Sequence, residues 1–187
     1  MSRVVRPQTL NIAVDVEGAS RGPRFLTEFA TRFSQSKIAG QLQVPVQFVP
    51  VALAPHTRAS FIREAIPRAA ERAKQVLEVM PGITIGIGIA PAVYAWRGYL
   101  WSLSLAYAVD WDGPLYGATS KSPEDTPDEI LADFSVDAKT ITDKLIPENA
   151  KDTPERRDRF QLACVLCQLA VMDLVMKVPV QGNGGSS

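Results

Sequence analysis

The sequence predicts a single α/β domain, a mixed β-sheet flanked by helices, and three of its features carry that expectation. The first lies in residues 69–93, where a helical pattern stops at Pro81-Gly82 and runs directly into a strand. Ile62, Ala65, Ile66, Ala69, Ala73, Val76, Leu77 and Met80 recur every three or four residues; Ile83, Ile85, Ile87 and Ile89 then alternate with Thr84, Gly86 and Gly88. The second is a set of further strand and helix patterns without strict βαβ alternation, arranged around a central hairpin. The third is composition: 187 residues, 46% of them hydrophobic, can bury a core without disulfide or metal staples. The domain is expected over residues 1–181, with the low-complexity stretch 182–187 as a flexible tail.

In chain order, residues 10–16 (LNIAVDV) read as a short apolar strand interrupted by Asp15, followed by the polar loop EGASRGPR. Pro23 suits a first helical position, and Phe25, Leu26, Phe29, Ala30 and Phe33 form the stripe of a helix that SQSKIAG breaks. A strand, a Gly-containing loop and a helix make the general geometry for holding an anion at a helix N-terminus, and Arg21 and Arg24 add charge there. Residues 44–53 alternate as a strand, but Pro45 and Pro50 each remove a ladder donor and place it at an edge. A helix over 60–80, with Pro67 able to kink it, carries Arg63, Arg68, Arg72 and Lys74 on a charged face. The strand over 83–89 is expected to be central, with its glycine face packed closely by that helix. The loop Ala90-Pro91-Ala92 after it is where an open α/β sheet would place chemistry.

Residues 93–96 and 99–109 read as a hairpin turning near Arg97-Gly98. Tyr99, Trp101, Leu103, Leu105, Tyr107 and Val109 share one face, and Ser102, Ser104 and Ala106 the other. Asp110-Trp111-Asp112-Gly113 is a turn with solvated acids, leading to a short strand over 115–118. Thr126-Pro127-Asp128-Glu129 is a capping box for a helix carrying Ile130, Leu131 and Phe134. A second helical piece over 135–145 and a charged linker over 146–153 follow, and a last helix opens at Pro154.

Lys plus Arg equals Asp plus Glu at 20 each, so no global basic field advertises nucleic-acid or anionic-membrane binding. The opening MSRVVRPQT has no secretory pattern, and the apolar run 160–176 is interrupted by Gln161, Gln168 and Asp173 and too short to span a bilayer. The expectation is a cytoplasmic protein with no membrane contact. Cys164 and Cys167, with the lone His56 far away in sequence, read as buried core thiols ahead of a metal or redox pair.

Over roughly residues 11–171 the order of these pieces resembles the inosine/xanthosine triphosphatase family of non-canonical purine nucleoside triphosphate phosphatases, related to the house-cleaning Maf pyrophosphatases. AAERAKQVLEVMPGITIGIGIAPAV resembles the family's Ala-Arg-x-Arg helix, turn and buried strand ending in an Ile-Glu-x-Gly-Ile loop, without a gap. Looser likenesses join GATSKSPEDTPDEIL, DAKTITDKL and PERRDRFQLACVLCQLA to its later Ser-rich strand end and helices. The resemblance implies a purine nucleoside triphosphate as ligand, Mg²⁺ as cofactor and a homodimer. It also implies phosphate-binding roles for Ser20, Arg21 and Arg24, and for Ser120 and Lys121 of the Ser-rich loop. Two departures matter: Ser20-Arg21-Gly22-Pro23-Arg24 stands where the family has Thr-x-Asn-Pro-x-Lys, and Ala90 stands where its Glu helps to hold Mg²⁺.

Three functions follow. A Mg²⁺-dependent hydrolase would draw its carboxylates from Asp15 and Glu17, with metal and cations neutralising the phosphoryl oxygens. A non-catalytic nucleotide-binding or protein-interaction scaffold would keep the fold after loss of the metal site. A two-metal exonuclease would use Asp15-Val16-Glu17 as a D-x-E triplet, without the late His or Tyr that the chemistry needs near Asp173.

Overall fold

The computed structural model describes residues 9–17, 24–55, 60–96, 99–119, 153–171 and 176–179. Their strands form a mixed sheet with β1 (Leu10–Asp15), β2 (Val46–Val51), β4 (Ile83–Trp96), β5 (Tyr99–Asp110) and β6 (Gly113–Thr119) in the order β2-β1-β4-β5-β6. Short β3 (Ser60–Phe61) extends the β1 side by pairing with β4, and β7 (Met176–Pro179) pairs with β5. β2, β1 and β4 are mutually parallel; β5 and β6 return antiparallel. The α/β class and the mixed sheet flanked by helices are those the sequence predicts.

The helix α3 (Ile62–Glu78) covers one face, and α1 (Phe25–Ser34) and α4 (Pro154–Ala170) cover the other. On the α3 face the bare positions of β4 let the helix backbone come close. A Cβ on Gly86 would lie 2.2 Å from the carbonyl oxygen of Ala73, and one on Gly88 would lie 2.2 Å from both Ala69 O and Ala73 N. Bulk is instead supplied from β5, whose Leu105, Tyr107 and Val109 stand beside Ala90, Gly88 and Gly86. The opposite face inverts the arrangement: Ile85, Ile87 and Ile89 of β4 lie beside Ala106 and Ala108 of β5, under Leu162, Ala163 and Leu166 of α4. Small against large across neighbouring strands fills both layers at even density. Phe29 and Phe33 of α1 meet Phe48 of β2 edge-on, with ring centroids 5.0 and 5.3 Å apart.

Helix starts follow their sequence signals. The Thr153 side chain accepts from Arg156 N–H at 3.3 Å, with Pro154 opening α4. Ser36 accepts from Ala39 N–H at 3.4 Å to start α2 (Lys37–Gln41), so SQSKIAG ends one helix and begins another. β2 lies at the sheet edge, as its prolines require.

Several expectations are corrected. β4 does not end before Ala90: it continues to Trp96, so residues 90–92 are strand and not loop. Pro91 falls between the last β1 partner, Ile87, and the first β3 partner, Ala92, where β4 has a neighbour on one side only. Ile83 does not share a face with the later isoleucines. The register skips Thr84, since Asn11 pairs Ile83 and Ile12 pairs Ile85, and this bulge turns Ile83 toward α3. Asp110 is not solvated but buried. The apolar run 160–176 is not one helix, because α4 stops at Ala170 and Met176 opens β7. The helices expected over 126–134 and 135–145 lie outside the described residues, as does His56. Among the described residues no helix is long and apolar enough to cross a membrane.

Candidate functional site

From β1 the chain reaches β2 by way of α1, and from β2 it reaches β4, on the other side of β1, by way of α3 on the opposite sheet face. The carboxyl end of β1 is therefore a topological switch point, the place where an open parallel sheet leaves a crevice. Asp15, the last residue of β1, sits there with no exposed surface.

A buried carboxylate needs partners, and Asp15 has them on both oxygens. Oδ2 accepts from Arg72 Nε at 2.5 Å and from the Ile89 N–H of β4 at 3.4 Å. Oδ1 accepts from Arg72 Nη2 at 2.9 Å and from the Glu17 N–H at 3.2 Å. The third arm of the guanidinium, Nη1, donates to Ala54 O at 2.7 Å, beyond the end of β2. One ion pair thus joins β1, β4, α3 and the chain after β2. Bidentate Arg-carboxylate geometry favours this arrangement over a lysine, which lacks the planar fork.

The helical pattern predicts Arg72 on the charged face of α3, yet it is buried. A signal was present: Arg72 lies three residues after Ala69 and four before Val76, inside the apolar stripe, and Asp15 is an acid in an otherwise apolar strand.

The other expected residues are only partly brought together. Glu17 is exposed, so of the two acids in the D-x-E triplet one is enclosed and paired and the other lies at the surface. Arg24 is exposed at the N-cap of α1, where its side chain makes no capping hydrogen bond. Ser20, Arg21, Ser120 and Lys121 lie outside the described residues. Ala90 is fully buried within β4, opposite Leu105 and beneath α3.

Magnesium, the metal that the resemblance implies, needs oxygen ligands with free lone pairs in octahedral array. The described residues do not fit it: Asp15 accepts four donors already, Ala90 offers a methyl group, and no three His, Cys, Asp or Glu side chains converge among them.

A second charged cluster fastens the far end of the sheet. Arg159 Nη1 lies 3.3 Å from the buried Asp110 Oδ2 and Arg159 Nη2 lies 3.5 Å from Asp112 Oδ2. Arg156 Nη2 donates to Pro114 O at 3.0 Å, so α4 clamps the β5–β6 turn. Within α4 the two cysteines form no disulfide. Burial pushes Cys164 up to about 11 and Cys167, wholly enclosed, higher still, which keeps both protonated and poor as nucleophiles or ligands.

Fold and site together define a mixed-sheet α/β protein whose switch point is closed by a buried ion pair. No family model and no curated protein matches the chain. Among solved structures it is similar to protein VC0702 from Vibrio cholerae, at 13% identity over 84% of this chain and 92% of that one, with a TM-score of 0.45. A likeness of this size identifies neither a site nor an activity.

Proposed function

We propose that this chain binds purine nucleoside triphosphates of the inosine or xanthosine type at the carboxyl ends of its parallel strands, as a nucleotide-binding scaffold that does not hydrolyse them. The observation that carries the non-catalytic half of this reading is the state of Asp15, whose two oxygens are both engaged by Arg72 and backbone N–H groups. A carboxylate so engaged has no lone pair to offer a metal or an attacking water. The nucleotide half rests on the sequence resemblance and on Arg24, an exposed cation at the N-terminus of α1, the helix that follows β1. The same reading includes a homodimer in the cytoplasm, which sedimentation of the purified chain and cell fractionation test.

Thermal shift and phosphate release, measured with inosine triphosphate, xanthosine triphosphate and inosine at matched Mg²⁺, decide the matter. The triphosphates raise the melting temperature more than inosine does, with or without Mg²⁺, and no phosphate appears. Arg24→Ala reduces the triphosphate shift and leaves that of inosine unchanged. Rapid Mg²⁺-dependent release of phosphate or pyrophosphate, removed by Glu17→Gln, would overturn the scaffold reading. Equal shifts for nucleoside and triphosphate would overturn the phosphate site.

A further inference from the structure

Along α3, from Pro67 to Glu78, a groove of about 510 Å³ lies between that helix and the β5–β6 turn. Its size falls within the range of small-molecule sites, roughly 300–1,000 Å³. Ala70 and Leu77 of α3 form one wall, Tyr107 and Val109 the floor, and Trp111 and Pro114 the end.

Two of these residues are held in unusual states. Trp111 is 60% exposed, yet its indole N–H donates to Ile83 O at 2.7 Å, which fixes the ring while leaving aromatic surface uncovered. Tyr107 is 2% exposed, and its hydroxyl is buried with no hydrogen-bond partner among the described residues. Burial pushes its pKa up to about 12, so the group is a neutral O–H donor throughout the physiological range. A buried hydroxyl without a protein acceptor is unfavourable, and an acceptor that wedges between α3 and β5 relieves it.

We infer that this groove is a binding site for a neutral, planar ring compound carrying one hydrogen-bond acceptor, the ring stacked against Trp111 and the acceptor directed to the Tyr107 hydroxyl. An anion is disfavoured by the rim, where Glu71 and Glu78 outnumber Lys74, and a cation by the cost of desolvating it against the apolar surface of Val109 and Leu77. Planarity follows from the exposed, hydrogen-bonded indole of Trp111, whose face is the aromatic surface left uncovered at the groove. The site is separate from the switch point and does not depend on nucleotide binding there.

Calorimetric titration of the full chain with naphthalene-2-carboxamide tests the inference, the amide carbonyl serving as acceptor. Saturable one-to-one binding is expected, unaffected by inosine triphosphate. Tyr107→Phe, which keeps the ring and removes only an unpartnered hydroxyl, leaves the fold intact and weakens binding about tenfold. Trp111→Ala weakens it at least as much, and naphthalene, which has no acceptor, binds the unaltered chain as weakly as the carboxamide binds Tyr107→Phe. No saturable binding up to the solubility limit, or equal affinity in Tyr107→Phe, would overturn the proposal. A dimer that Trp111→Glu dissociates, with no binding of the probe, would assign the groove to a second copy and overturn it as well.

Discussion

Arg72 and Asp15, 57 residues apart in sequence, form a bidentate pair with both side chains buried, Nη2 to Oδ1 at 2.9 Å and Nε to Oδ2 at 2.5 Å. Removing one member strands the other charge in the interior. Arg72→Met or Asp15→Leu alone is expected to cost about 3–5 kcal/mol in chemical denaturation, because the remaining charge keeps its desolvation penalty and loses its counter-ion. The double variant Asp15→Leu/Arg72→Met should recover most of that loss, since neither charge is then buried. Single variants within about 0.5 kcal/mol of the parent would mean that the pair contributes little and that water reaches it.

The approach of α3 to β4 sets up a contrast between two glycines. A Cβ on Gly88 meets the Ala69 carbonyl oxygen and the Ala73 nitrogen at 2.2 Å, and both are backbone atoms of a packed helix that cannot turn aside. Gly88→Ala is therefore expected to destabilise by about 3 kcal/mol or more, at or beyond the upper end of ordinary overpacking. Gly40, in α2, has nothing within 4 Å of the same added atom. Gly40→Ala should stabilise by about 0.5–1 kcal/mol through reduced freedom of the unfolded chain. Equal effects of the two substitutions, read from urea midpoints, would contradict the close packing.

That close packing was legible in the sequence because it leaves a period-two mark: Gly86 and Gly88 between isoleucines, next to a helix with Ala65, Ala69 and Ala73 one turn apart. The central position of β4 and the edge position of β2 were legible for similarly local reasons, an apolar run in one and prolines in the other. The Asp15-Arg72 pair was not, because which cation of α3 meets which acid of β1 depends on how helix and sheet are rotated against each other. Ala90 misled for a different reason. Pro91 reads as a strand terminator, but it terminates only where a ladder exists on its donor side, and β4 has a gap between β1 and β3 at that point. The groove beside Tyr107 has no sequence signature, since its lining comes from residues 67–78 and 107–114.

Alkaline pH should expose the buried titratable groups of α4 and β5. Cys164 is raised from 9.0 to about 11 and Tyr107 from 10.0 to about 12, in each case chiefly by burial, and Cys167 shifts in the same direction. Each folded-state value lies above the unfolded one, so the unfolded chain releases its protons first as pH rises. Stability is full below about pH 9 and falls progressively as pH rises toward the folded-state values. Cys167→Ala should make the decline between pH 9 and 11 shallower, even though the cavity lowers stability at pH 7. An unchanged slope in pH-dependent denaturation would show that other groups govern the alkaline limb.

The position of Ala90 turns a family-based expectation into a test of structure. If the chain were a hydrolase that had lost a single metal ligand, Ala90→Glu would restore a carboxylate and with it some metal dependence. In the structure Ala90 has no exposed surface; it stands in β4 opposite Leu105 and packs in the layer formed by Ala65, Ala69 and Ala92 beneath α3. A glutamate there would add four heavy atoms beyond the methyl in a space that α3 already fills, and would leave its charge without a described cation to meet it. Burial of this kind drives the carboxyl toward its neutral form, which cannot ligate a hard cation. Ala90→Glu is therefore expected to lower stability by at least about 3 kcal/mol, with no gain in Mg²⁺-dependent thermal shift and no phosphate release from inosine triphosphate. Ala90→Leu, similar in bulk but uncharged, separates the two costs, and should destabilise less than the glutamate. A folded Ala90→Glu protein that gains both Mg²⁺ binding and hydrolysis would place residue 90 at an accessible strand end, against a β4 continuous from Ile83 to Trp96, and would return the chain to the hydrolase reading.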